Sequence, residues 1–127
     1  MTERRLLQLA VAAGGLVPVG AGAAGILLGP DMIGHAGGDA SLDSHWRYLS
    51  GLLAGIGIAF WATIPAIERN GGRFRLLAGI VVLGGVARLL SLATAGAPSG
   101  PMMLALAMEL GVTPALAAWQ ARVARRA

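Results

Sequence analysis

The sequence contains no cysteine, so disulfide frameworks, thiolate metal sites and cysteine nucleophiles are excluded together. Charge is nearly as scarce. Charged residues make up 13% of the 127 positions, against about 25% in an ordinary soluble domain. A domain this small exposes much of its surface, and so few charges cannot cover it. A soluble monomer is nearly excluded on that ground, and so is disorder, which needs the opposite bias. Familiar catalytic signatures are missing too: there is no serine-nucleophile motif, no phosphate loop and no HExxH pattern.

Apolar residues fill the space. They account for 56% of the chain, and mean hydropathy is +0.71. About 20 such residues cross a bilayer as a helix. Four stretches of that kind are readable, at about residues 6–28, 48–67, 74–95 and 102–120. None alternates with the period of two that marks a membrane barrel strand. Pro65 should end or bend the second helix, and Pro18 and Pro114 should kink the first and fourth. Gly29-Pro30, Asn70-Gly71-Gly72 and Ala97-Pro98-Ser99-Gly100-Pro101 punctuate the loops. The expected fold is all-α: one domain forming an integral-membrane antiparallel four-helix bundle.

Arginine placement sets the expected orientation. Arg4 and Arg5 precede the first span, Arg69, Arg73 and Arg75 flank the second loop, and Arg122, Arg125 and Arg126 close the chain. The other loops hold Asp31, Asp39 and Asp43 against Arg47 alone. The positive-inside rule then puts both termini in the cytoplasm. The net charge of +4 follows from this topology. It calls for no nucleic-acid partner, because the arginines sit at membrane ends without interleaved aromatics. Arg4-Arg5, the apolar run and Ala21-Gly22-Ala23 imitate a secretory signal. The run is longer than a typical signal core, so the expectation is a retained span.

Lipid tails compete equally for apolar side chains, so spans associate through small residues. Gly51, Gly55 and Ala59 recur at every fourth position, as do Ala10, Gly14, Pro18 and Gly22, and Ala21, Gly25 and Gly29. These faces are expected to pack inside the bundle. The first loop, from about Gly29 to Trp46, reads as the only long one, with Asp43 as the N-cap of the second helix.

Ions inside a bilayer cost roughly 3 kcal/mol or more unless paired. Arg88 and Glu109 are the two in question. Arg88 lies seven residues before Ala95, and Glu109 seven after Met102. Each is then about 10 Å below the same membrane boundary at 1.5 Å per residue. Adjacent antiparallel spans would bring them into a bidentate pair. Two roles stay open for it: a clasp fixing helix register, or the floor of a ligand site in the outer half of the bundle. Ser91 shares the face of Arg88, and Thr113 lies one turn from Glu109. His45, Arg47 and Tyr48 would form the rim, although Arg47 can equally meet lipid phosphate. Gln120 is expected to snorkel.

Two chemistries are weaker. Met32, Met102, Met103 and Met108 with His35 and His45 carry soft donors, but no tight Met-x-Met or His-x-x-His cluster occurs, so no metal and no cofactor is expected. Acid–base catalysis at Glu109 would use a carboxylate already locked to an arginine, a poor base. Enzymatic activity is the less favoured reading.

Asp43-Ser44-His45-Trp46-Arg47-Tyr48-Leu49-Ser50-Gly51, Arg88-Leu89-Leu90-Ser91 and Glu109-Leu110, set on four spans, resemble the bacterial family called domain of unknown function 4345. The resemblance runs from about Leu6 to Arg125. It implies a small four-helix protein of the bacterial inner membrane and implies no activity. The positions matching its polar motif are Arg47, Tyr48, Gly51, Arg88 and Glu109. The expected function is a binding or accessory protein holding a lipidic or small anionic ligand through Arg47, Tyr48, Arg88, Ser91, Glu109 and His45. The alternatives are a structural subunit of a larger complex or homo-oligomer, and a small enzyme or proton-coupled transporter centred on Glu109. Expected partners are membrane lipids and, beyond them, a membrane protein or a second copy.

Overall fold

The computed structural model describes residues 1–34 and 39–127. His35, considered above as a metal ligand, lies outside the described residues. Among the described residues every regular element is helical. Helix α1 spans Glu3–Leu28 and passes into a 3-10 turn, Gly29–Ile33. Helix α2 spans Ala40–Ala62, followed by a 3-10 turn, Ile64–Ala66. Helix α3 spans Gly71–Ala95. Helix α4, Gly100–Ala107, runs through a π-helical turn, Met108–Val112, into α5, Thr113–Arg126. Among the described residues four segments are long and apolar enough to cross a membrane: Glu3–Ile33, Ala40–Ala66, Gly71–Ala95 and Gly100–Arg126. The chain forms two compact units, Gln8–Ile64 and Met1–Leu7 with Pro65–Ala127.

The first unit is an antiparallel pair. Gly15 approaches Trp61, Gly22 approaches Ser50 and Ala54, Gly25 approaches Trp46 and Ser50, and Gly29 approaches Arg47 and Asp43. A Cβ on Gly22 would lie 2.6 Å from the Ala54 nitrogen and the Ser50 carbonyl oxygen. The contact is backbone against backbone, as expected where lipid removes any hydrophobic drive between helices. The Trp61 indole donates to the Ala12 carbonyl at 3.1 Å, and the Gln8 amide to the Ile64 carbonyl at 2.7 Å.

The spacing of this seam differs from the expected one. Along the seam Gly15, Pro18, Gly22, Gly25 and, just past α1, Gly29 stand against Arg47, Ser50, Ala54, Gly57 and Trp61, with Val19, Asp43 and Trp46 flanking them. Steps of three and four alternate, the heptad pattern of a left-handed crossing. A stripe at every fourth residue drifts around the helix and leaves such a seam. Gly51 and Gly55 are therefore off it, and a Cβ on either would meet open space.

The start of α2 is also corrected. Asp39, not Asp43, is the N-cap: its carboxylate accepts from Ser41 N at 2.6 Å and Leu42 N at 3.1 Å. The helix begins at Ala40, so residues 40–46, expected within the long first loop, are helical. Hydropathy rises only near Tyr48 because hydropathy marks the span, whereas the cap marks the helix. Pro65 ends α2 as expected, within the 3-10 turn. Pro18 stays inside α1 without interrupting it.

In the second unit α3 runs antiparallel to α4 and α5. Gly71 lies near Gln120, and Gly85 near Glu109 and Leu110. Leu7, Ile67, Phe74, Leu77, Ala78 and Val123 are buried. Gln120 does not snorkel. It is fully buried, and its amide nitrogen donates to the Ile67 carbonyl at 2.8 Å, a carbonyl that the turn before α3 leaves without a helical partner. Beside it Arg4 Nε donates to Glu68 at 2.8 Å, and Arg4 Nη2 to the Pro65 carbonyl at 3.0 Å. That hydrogen bond from Arg4, helped by backbone donation, holds the Glu68 carboxyl below its ordinary range.

Two outcomes follow from the packing. Gly22→Leu should lower unfolding stability by about 1–3 kcal/mol, the usual range for overpacking. Gly20→Leu, where a Cβ meets nothing, should not, with both read by denaturant titration in detergent. The Glu68 carboxyl is lower in the folded protein than in the unfolded one. Its contribution is therefore present above the ordinary carboxylate range and disappears as pH falls through the depressed value. Glu68→Gln should flatten that acid limb of the stability profile.

Candidate functional site

Arg88 projects from α3 seven residues before the helix ends at Ala95. Glu109 comes from the π turn between α4 and α5. Gly85, one turn before Arg88, makes their meeting possible. A Cβ there would lie 2.8 Å from Leu110 Cδ2 and 2.9 Å from Glu109 Cβ. Glycine thus lets the Glu109 backbone approach until its carboxylate reaches the guanidinium.

The π turn has a local cause. Pro114 has no N–H to give its preceding turn. Thr113 N–H bonds the Met108 carbonyl five residues back, and the Thr113 hydroxyl donates to the same oxygen at 2.9 Å. Thr113, expected to join the polar cluster, is held instead by its own helix. One residue is thereby accommodated in a widened turn, as recurs at functional sites. Both Glu109 and Leu110 consequently face Gly85. The signal for this was in the sequence, in Thr113-Pro114 following shortly after Glu109.

Arg88 and Glu109 pair, but through one donor. Arg88 Nε donates to Oε1 at 2.9 Å and to Oε2 at 3.0 Å. A fork-to-fork contact would have engaged a terminal nitrogen as well. Here Nη1 and Nη2 have no acceptor among the described residues. Glu109 is the more enclosed, with 15% of its side chain exposed against 35% for Arg88. A cavity of about 60 Å³ is lined by Arg88, Ser91, Leu92, Pro98, Met102 and Leu106. Pro98 belongs to the loop joining α3 to α4, so the cavity runs from the loop to the arginine. Its polar walls are Arg88 and Ser91. Leu92, Pro98 and Leu106 were not singled out from the sequence; their spacing is that of any apolar helix.

Arg47 presents the opposite case. Nε donates to Asp43 Oδ2 at 2.9 Å and Nη2 to Oδ1 at 3.3 Å. Nη1 donates to the Ile26 carbonyl at 2.5 Å and the Leu27 carbonyl at 3.4 Å. The residue thus closes the carboxyl end of α1, where carbonyls lack helical partners and attract a cation. Gly29 turns the chain there with φ +63°, and a Cβ on it would lie 2.9 Å from Arg47 and Asp43. His45 and Tyr48 on the same helix are exposed. His45, Arg47 and Tyr48 fall in the unit Gln8–Ile64, and Arg88, Ser91 and Glu109 in the other. Among the described residues no group of three or more His, Asp or Glu is arranged to hold a metal.

A family model described as Domain of unknown function (DUF4345) matches residues 6–120. No curated protein and no solved structure matches the chain.

Removing either partner should strand the other. Arg88→Leu and Glu109→Leu should each destabilise by about 2 kcal/mol, below the 3–5 of a fully buried pair because Arg88 is partly exposed. The double variant should lose less than either single change, as a double-mutant cycle in detergent would show.

Proposed function

The chain belongs to the DUF4345 family over nearly its whole length, and we propose that it binds the anionic group of a lipid, or an equivalent small anion, between α3 and α4. Arg88 offers its terminal nitrogens and Ser91 its hydroxyl, while Glu109 holds the guanidinium through Nε. The observation that carries this reading is the pair of unused nitrogens beside a cavity reaching the loop. A guanidinium at this depth is poorly hydrated, and free donors there favour an acceptor from a ligand. A cavity of about 60 Å³ suits a phosphate or carboxylate rather than a drug-sized molecule, whose pockets run to roughly 300–1,000 Å³. Leu89, Leu90 and Leu104 are exposed nearby on the same helices, an apolar surface along which lipid tails can lie. The protein is read as a multi-pass protein of the bacterial inner membrane, with the arginine-rich end cytoplasmic and Arg88 in the outer half.

A second reading is a structural subunit or homo-oligomer. It is favoured by the open faces at Gly51 and Gly55, which leave a smooth strip of α2 off the α1 seam. Catalysis or proton coupling at Glu109 has less support, because both carboxylate oxygens accept from Arg88.

A photoreactive residue replacing Met102, on the cavity wall, tests the reading. In vesicles containing phosphatidylglycerol it should capture that lipid, and adding Arg88→Gln should reduce capture severalfold. Competition by millimolar phosphate would identify a free anion as the occupant. Capture unchanged by Arg88→Gln would refute the site.

A further inference from the structure

The far end of the second unit carries a separate concentration of charge. Arg4 and Arg5 open α1, Arg69, Arg73 and Arg75 surround the start of α3, and Arg122, Arg125 and Arg126 end α5. Against these eight arginines stand only Glu3 and Glu68, a net of six positive charges. The protein has no lysine; all ten of its Lys/Arg residues are arginine, the side chain whose planar fork matches phosphate oxygens.

One of these arginines, Arg122, lines a groove. An open depression of about 500 Å³ is bounded by Glu3, Leu6, Ala118, Trp119 and Arg122. Its walls divide by chemistry. Leu6, Ala118 and Trp119 are apolar, and Trp119 is the amphipathic ring favoured at a membrane interface. Glu3 gathers the cations: Arg122 Nε reaches Glu3 Oε1 at 3.0 Å, and Arg126 Nη1 reaches Oε2 at 3.2 Å. Trp119, Arg122 and Arg126 fall on one face of α5 at steps of three and four. Both terminal nitrogens of Arg122 lack an acceptor among the described residues, as does Nη2 of Arg126. One carboxylate on the groove wall thus holds two guanidinia, that of Arg122, itself on the wall, and that of Arg126, and leaves the trio a net positive charge.

We propose that this groove seats an anionic phospholipid, its phosphate on the free edges of Arg122 and Arg126 and the start of an acyl chain against Leu6, Ala118 and Trp119. Charge complementarity selects the occupant. The end as a whole is strongly cationic, and basic recesses between membrane helices hold lipid phosphates. The proposal is independent of the Arg88 site, which lies at the other end of α3 and shares no residue with it.

The test is native mass spectrometry of the full-length protein released from nanodiscs holding equal amounts of phosphatidylglycerol and phosphatidylcholine. The wild type should retain phosphatidylglycerol preferentially. Arg122→Gln should lower that retention about fivefold, the effect of one arginine at an anionic surface. Trp119→Ala should lower it too, with the charge intact, and reads the apolar wall independently should Arg122→Gln fail to fold. Arg73→Gln, at the same end but outside the groove, should leave it unchanged, and the losses on Arg122→Gln and Trp119→Ala should persist in an Arg88→Gln background, where the other proposed lipid site is removed. An equal loss on Arg73→Gln would show that summed charge, not the groove, attracts the lipid. No preference in the wild type, or retention indifferent to Trp119→Ala, would overturn the proposal.

Discussion

An ionised side chain in hydrocarbon must find a partner, and the pairing of Arg88 with Glu109 is the constraint on which the α3–α5 unit turns. The pair needs the two backbones close, and Gly85 provides the approach. It needs Glu109 aimed at α3, and the widened turn before Pro114 provides the aim. Two helix-weakening features, a glycine and a proline, thus bring one costly charge to another. The hydrogen-bond geometry then divides the donors of the arginine into two groups. Nε is bound to the carboxylate, which fixes the guanidinium. The terminal nitrogens have no acceptor among the described residues, and Arg88 lines a cavity.

Arg47 shows what a structural arginine looks like in the same protein. All three of its nitrogens donate, two to Asp43 and one to the carbonyls ending α1. The helix terminus and the adjacent carboxylate use the whole fork. Arg88, paired with a comparable carboxylate, leaves most of its donors unused. The difference lies in what surrounds each residue: Arg47 stands where a helix ends and unpaired carbonyls abound, whereas Arg88 stands mid-helix, where backbone acceptors are already occupied. A structural clasp would have been expected to converge on the first pattern.

Much of this was legible in the sequence, because membrane physics leaves few choices. Length, apolar content and proline positions reveal four helices, and equal distance from the third loop brings Arg88 and Glu109 together. What was not legible depends on angles rather than on composition. The α1–α2 seam follows steps of three and four, so a stripe at every fourth residue picks out Gly51 and Gly55, where a Cβ would meet open space. Asp39 and Asp43 both suit an N-cap by type, and only backbone conformation chooses the first. Gln120 looks like a snorkelling polar residue until the unpaired Ile67 carbonyl is placed beside it.

The central claim is that Arg88 is anchored by Glu109 through one nitrogen so that its others can hold an anion. A high-resolution structure of the protein in a phospholipid bilayer tests it most directly. The account predicts Nε on Glu109 and an anionic oxygen within hydrogen-bond reach of the Arg88 terminal nitrogens, beside Ser91. A guanidinium rotated into a two-nitrogen contact with Glu109, with the cavity closed by Met102 or an acyl chain, would contradict it and leave the pair a clasp.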